Sequence, residues 1–340
     1  MASFFDLLPS DIKRYEIIPK LDGISLLILQ HSLLNKPLPS TLSKSQQKNI
    51  VRNGLGLTIY FWDKLDKKEI CNYAAEYGRL DVLTYAHKNA LLKEGGPYGT
   101  CPWNEYTCMY AAKSGSLECL QYLHENGCPW DGKTCAYAAL AGSIECLKYA
   151  KENGCPWDEW TCYYAAEAGS RECLKYAHEN DCPWDKHTCE FAAEAKSLEC
   201  LQYAHENDCP WDEYTCYNAA QSGSLECLQY AHKNDCPWNE ITCEYAGLGG
   251  SLECLKYLHK NDCPWDELTC KNAAKAGSLE CLQYAHENGC PWNEYTCIAA
   301  LKTCNLDCLK YARENGCPCS RDTAIKAKNL WPNVVINSTE

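Results

Sequence analysis

The chain is short of positive charge: 32 Lys and Arg stand against 45 Asp and Glu, leaving a formal charge of −13 over 340 residues. A nucleic-acid backbone or an anionic membrane needs clustered Lys and Arg, so neither is expected as the main partner. Long apolar runs are missing too. The longest, "ISLLILQ" at residues 24–30, falls well short of the roughly 20 residues that a bilayer-spanning helix needs. No N-terminal stretch joins a basic start, an apolar run and a small-residue cleavage site. These absences together predict a soluble, cytoplasmic protein in a reducing compartment. Redox spacing is scarce as well: there is no C-x-x-C, and one C-P-C at 317–319 is the nearest imitation. That absence bears on the 28 cysteines, which in an exported chain would imply a disulfide framework and here are expected to be free thiols.

What the sequence has in place of these is a period. The cysteine that opens "CP" recurs at 101, 128, 155, 182, 209, 236, 263, 290 and 317, at intervals of 27 without slippage. Eight full copies fill 101–316. A divergent copy occupies 66–100; its "EICNYAAEYGRLDVLTYAHKN" is followed by an insertion, "ALLKEGGPYG", before Cys101. A partial copy and tail close the chain at 317–340, and a helical segment at 1–45 and a linking helix at 46–65 precede the array.

Residues 209–235 serve as the worked copy. Asp212 is placed to cap a first helix, "EYTCYNAAQS", which ends at Gly223 in the left-handed position. Ser224 is placed to cap a second helix, "LECLQYAHKN", which ends at Asp235, where other copies have Gly. Two helices, a short turn and the "CPW" connector use up the period, with no room for a β-hairpin. Helices this short are marginal alone, and one pair cannot bury its apolar face, so the copies must stack. The expected fold is all-α: a solenoid of stacked helix–turn–helix repeats with a small helical N-terminal region.

The cysteines do not fit a metal site. In the worked copy Cys209, Cys216 and Cys227 are too far apart in sequence for the C-x₂₋₄-C pairs of structural zinc. The closest imitation is Cys119, His124, Cys128, but its histidine gives way to Lys151 and Arg313 in other copies. Cys119 and His124 also point about 140° apart on a helix. Cys216 and Cys227 read as small inward-facing hydrophobes, and "CPWDEYTC" reads as a joint with Trp211 wedged between units. His178, His205, His232, His259 and His286 lie one unit apart, about 10 Å, too far for one ion to bridge; they read as a solvated helix face. No cofactor and no metal is expected. No nucleophile–base pair, carboxylate dyad or phosphate loop is present, so the chain is not expected to be an enzyme.

Most columns of the eight copies are nearly fixed, as stacking requires, but columns in the first helix vary. One holds Tyr106, Lys133, Trp160, His187, Tyr214, Ile241, Leu268 and Tyr295. Three residues on, the next includes Met109, Tyr163, Glu190 and Tyr217; four further on is a third, with Lys113, Glu167 and Gln221. Offsets of 0, 3 and 7 define one helical stripe, rich in the Tyr and Trp that dominate interface hot spots. The exposed columns of the second helix (Glu226, Gln229, Lys233 and equivalents) stay within Glu, Gln and Lys. The stripe, densest in aromatics over 103–217, is therefore the expected surface for a protein partner.

The string T-C-x-x-A-A-x-x-G-S-L-E-C-L-x-Y-x-x-E-N-G, over about 66–332, resembles the ankyrin repeat. Cys stands where ankyrin has Pro, and the unit is about six residues shorter, as if the hairpin fingers were absent. With its "NGCPWDE" connector the array is similar to the ankyrin-type repeat proteins of giant DNA viruses of protists. The resemblance implies a binding scaffold, sited in the host-cell cytoplasm if the source is viral. In that family an F-box-like segment often precedes the repeats. "LLPSDI" followed by Ile17, Ile18, Leu21, Leu26 and Leu29 is similar to an F-box opening, although Pro19 interrupts its helix. That implies a cullin-ligase adaptor as a partner of 1–45; the alternative is a helical cap on the first repeat.

Overall fold

The structure, a computed structural model, describes residues 41–92 and 103–331. The F-box-like stretch up to residue 40, most of the insertion and the last nine residues lie outside that range. Among the described residues there are 21 α-helices and no strand. The chain divides into two compact units, 1–134 and 135–340. Within each, helix pairs stack on their neighbours, which is the all-helical solenoid the period predicts.

The caps account for the helix boundaries. In the worked copy Asp212 accepts a hydrogen bond from the Tyr214 amide at 3.1 Å and starts the helix Glu213–Ser222. Gly223 ends it in the left-handed region, at φ 79°. The Ser224 hydroxyl accepts from the Cys227 amide at 3.4 Å and starts Leu225–Lys233. Lys196 holds the same left-handed turn at φ 58° without glycine. Its flanking helices, Lys186–Glu194 and Leu198–Glu206, keep the lengths of those a copy earlier, Glu159–Glu167 and Arg171–Glu179. Strain at this residue is therefore absorbed locally.

Small residues fill the core. Cys216, Ala219 and Ala220 from the first helix, and Cys227, Leu228 and Ala231 from the second, are fully buried. Their size lets the first helices of adjacent copies lie side by side. The approach is tightest at Gly249, where a Cβ would run into the Gln221 carbonyl of the preceding copy.

The linking segment is not one helix. Gly54, at φ 108°, divides it into Lys44–Arg52 and Leu55–Tyr60, followed by a 3₁₀ turn at Trp62–Lys64. Ile50, Val51 and Phe61 are buried, and Lys44–Arg52 packs against the first helix of the divergent copy, Lys67–Glu76. Residues 41–65 thus cover the end of the array. At the other end, Ser320 caps a last helix, Arg321–Leu330, which packs on Glu294–Lys302.

Candidate functional site

Each N-cap fixes where the first helix begins and so sets the second helical residue at an outer corner. Asn104, Asp158, Asp185, Asp212 and Asn293 each accept from the amide of that residue. In this way Tyr106, Lys133, Trp160, His187, Tyr214 and Tyr295 are exposed, while Ile241 and Leu268 are half-buried. At two of these corners a lysine from the next or preceding copy covers the ring. Lys133 lies 4.8 Å from the centre of Tyr106, and Lys186 lies 5.5 Å from that of Tyr214 while pairing with Asp212 at 2.6 Å.

The column three residues on faces elsewhere. Met109, Glu190 and Tyr217 are buried and Tyr163 is half-buried. The reason is the neighbouring first helix, which an isolated helical wheel leaves out. Tyr217 stacks on Tyr245 of the next copy at 5.4 Å and its phenol donates to Asn239 at 2.8 Å. Tyr163 meets Phe191 of the next copy edge-on at 4.0 Å. These side chains join copies, so the exposed stripe is narrower than the sequence spacing implies.

Between the copies starting at 155 and 182 the rim opens into a half-open cavity of about 540 Å³. Trp160, Tyr163 and Phe191 line it together with Glu159, Asp185, His187 and Glu190. Trp160 is 51% exposed, and Glu190 only 6%. One Glu190 oxygen is paired with His187 Nδ1 at 2.8 Å, and the other, Oε1, is buried without a hydrogen-bond partner. The carboxylate beside it raises the His187 pKa above its ordinary value.

The second helices carry the opposite kind of surface, and here the histidines depart from expectation. They are not a solvated face. His205 stacks on Trp211 at 3.9 Å, and its Nδ1 shares a hydrogen bond of 3.0 Å with the Tyr230 hydroxyl of the next copy. The same clamp recurs at His178, His232, His259 and His286, with hydrogen bonds of 2.9–3.0 Å. Trp211, edge-on to Tyr230 as well, is the wedge between units that the connector implies. The replacements keep the contact: Lys151 sits 3.8 Å over Trp157, and Arg313 donates to Cys319, which takes the tryptophan's place. The signal was in the sequence, as a fixed His, Trp and Tyr at constant spacing, but single-helix reasoning does not join residues 25 apart.

The cysteines pack as expected. First-helix and connector thiols 20 residues apart meet inside: the Cys162 thiol is pushed well above the usual range by its hydrogen bond with Cys182 and by burial. Connector Cys209 donates to the Asp185 carbonyl at 3.2 Å, tying one copy to the previous cap. Burial raises Cys254 to about 12. Thiols held protonated are poor nucleophiles. Cys71 departs from the expectation of free thiols, being disulfide-bonded. Among the described residues no group of three or more His, Cys, Asp or Glu is placed to hold a metal ion. No helix there is long and apolar enough to cross a membrane.

Residues 108–188 match a family model described as ankyrin repeats, in three copies. Residues 108–188 thus carry ankyrin-type repeats. Repeats of that kind indicate a scaffold for protein–protein interaction. The chain is also similar to the crystal structure of the human ASB11 ankyrin repeat domain, at 17% identity and a TM-score of 0.40, over 46% of this chain and 84% of that one. No curated protein matches the chain.

Proposed function

We propose that the chain is a non-enzymatic scaffold that binds a protein partner through the exposed corners of its first helices. One observation carries this reading: Tyr106, Trp160, Tyr214 and Tyr295 are large aromatic side chains left 42–54% exposed. Packing does not demand them there, since Lys133 and His187 occupy the same position in other copies. Aromatic anchors are where interface energy concentrates. Replacing the four by alanine tests the reading: partners recovered from a eukaryotic lysate by the full chain should be lost, with stability unchanged.

A second element of the proposal concerns the N-terminus. The resemblance of "LLPSDI" and the following apolar residues to an F-box supports recruitment of a cullin-ligase adaptor, which would make the repeats a selector of substrates for a ubiquitin ligase. The likeness to giant-virus repeat proteins supports a host-cell cytoplasmic setting. Because Ser43 caps Lys44–Arg52 and that helix packs on the first copy, the boundary for a test falls before residue 41. The full chain should bring down the adaptor and a chain starting at 41 should not. If both recover the same partners and no adaptor, the N-terminal region acts only as a cap.

A further inference from the structure

The last joint of the array departs from the others at two residues that touch. Every earlier connector carries Trp where the last has Cys319, and the place that His or Lys holds over that ring is taken by Arg313. Arg313 is buried, and its Nη1 donates to the Cys319 thiol at 3.2 Å. Cys319 thereby joins a thiol pair of the kind the inner copies have: Cys297 is hydrogen-bonded with connector Cys317 and with Cys319 as well. Access differs within the cluster. Cys297 and Cys317 are buried, whereas Cys319 is half-buried. Pairs further in, such as Cys162 with Cys182, have both thiols buried. The three thiols are not placed to hold a metal ion. A first-helix cysteine elsewhere is already oxidised: Cys71, which stands in the divergent copy where Cys297 stands in the last full one, is disulfide-bonded.

We propose that Cys319 and Cys297 form a modification site for hydrogen peroxide, in which Cys319 is oxidised first and Cys297 closes a disulfide onto it. The Cys319 thiolate attacks one peroxide oxygen; an S–O bond forms, the O–O bond breaks, and the departing hydroxide takes up the thiol's proton as water. Cys297 then attacks the sulfenic sulfur; the S–S bond forms, the S–O bond breaks, and the hydroxyl leaves as water with the Cys297 proton. Two thiols lose two electrons, and one peroxide becomes two waters. Cys317 is the deeper thiol and is engaged by the Asn293 carbonyl at 3.2 Å, which leaves Cys319 as the one that peroxide meets first. Burial holds Cys319 up at about 11 while the Arg313 guanidinium pulls the other way, so the reaction is slow at neutral pH and quickens as pH rises. The bond ties the helix Glu294–Lys302 to the residue ahead of Ser320, the cap of Arg321–Leu330, and so fastens the closing helix to the array.

The test uses the full chain carrying Cys304→Ser, which removes an exposed thiol. It is treated with hydrogen peroxide, blocked with N-ethylmaleimide in urea, digested and mapped by mass spectrometry. A cross-link between Cys297 and Cys319 should form, while Cys162 and Cys182 are recovered as alkylated thiols. Its rate of formation should rise about tenfold per unit between about pH 7 and 9, as expected of a thiol well below its pKa. Cys297→Ser should abolish the cross-link and leave on Cys319 a sulfenic acid that dimedone traps. Cys319→Trp, which restores the residue of the other connectors, should abolish both products. A bond that leaves Cys319 a thiol, a bond from Cys317 to Cys319 in place of Cys297, oxidation of Cys162 and Cys182 as fast as Cys319, or a rate indifferent to pH overturns the assignment.

Discussion

The two helices of each copy have been put to different uses. Along the second helices His205, Trp211 and Tyr230 interlock one copy with the next, and the same three residue types return copy after copy. Along the first helices the corner residue changes from Tyr to Lys, Trp, His, Ile or Leu with no change in the fold around it. The clamp residues are constrained because each one touches the others across the joint between two copies. The corner residues of the first helices vary while the helices around them keep their lengths to within one residue, as the proposed role in holding an outside partner would allow. The histidines show the difference in miniature: burial lowers the pKa of His232 on the clamp, whereas Glu190 raises that of His187 on the rim.

Breaking the packing that both helices share should have the largest effect. Leu228→Ala removes a fully buried side chain from a core of small residues, and about 2–5 kcal/mol of stability should go with it in urea unfolding. Gly249→Ala should cost about 1–3 kcal/mol, because the added methyl meets the Gln221 carbonyl backbone, which cannot rotate away. In the other direction, Lys196→Gly should raise stability by about 1 kcal/mol by relieving a left-handed residue at φ 58°.

The two sides should also respond to pH in opposite directions. His232 has a folded pKa below its ordinary 6.5, so its contribution to stability is complete above that value and is lost as pH falls through the folded one. His187, raised above 6.5, contributes fully below that value and loses its contribution as pH rises through the folded pKa. NMR titration should place the His187 midpoint above that of His232, and His232→Gln should flatten the acid side of the stability profile. The smallest expected effect is at Thr215, whose buried hydroxyl has no hydrogen-bond partner. Thr215→Val should leave the unfolding midpoint unchanged or slightly higher, since it removes an unsatisfied group.

The fold was legible because the 27-residue period, Asp212, Gly223 and Ser224 each act within a few residues of chain. The site was legible in part. Trp160 and Tyr214 were placed on an exposed corner by spacing alone, but Tyr217 and Glu190 were not recognised as buried. Their surroundings are set by the adjacent copy, 22 to 28 residues away, as the contacts of Tyr217 with Asn239 and Tyr245 show. The histidine clamp went unread for the same reason. Periodicity within one helix reports which faces are apolar; it does not report which polar faces will meet.

In the proposed division of labour the rim binds a partner and the clamp holds the fold. The most direct test compares the full chain with its Tyr106→Ala, Trp160→Ala, Tyr214→Ala, Tyr295→Ala variant for proteins recovered from a eukaryotic lysate, with urea unfolding run on both. The recovered partner should disappear while the unfolding midpoint shifts little, each surface change being worth within about 0.5 kcal/mol. Recovery of the same partner by both chains would contradict it.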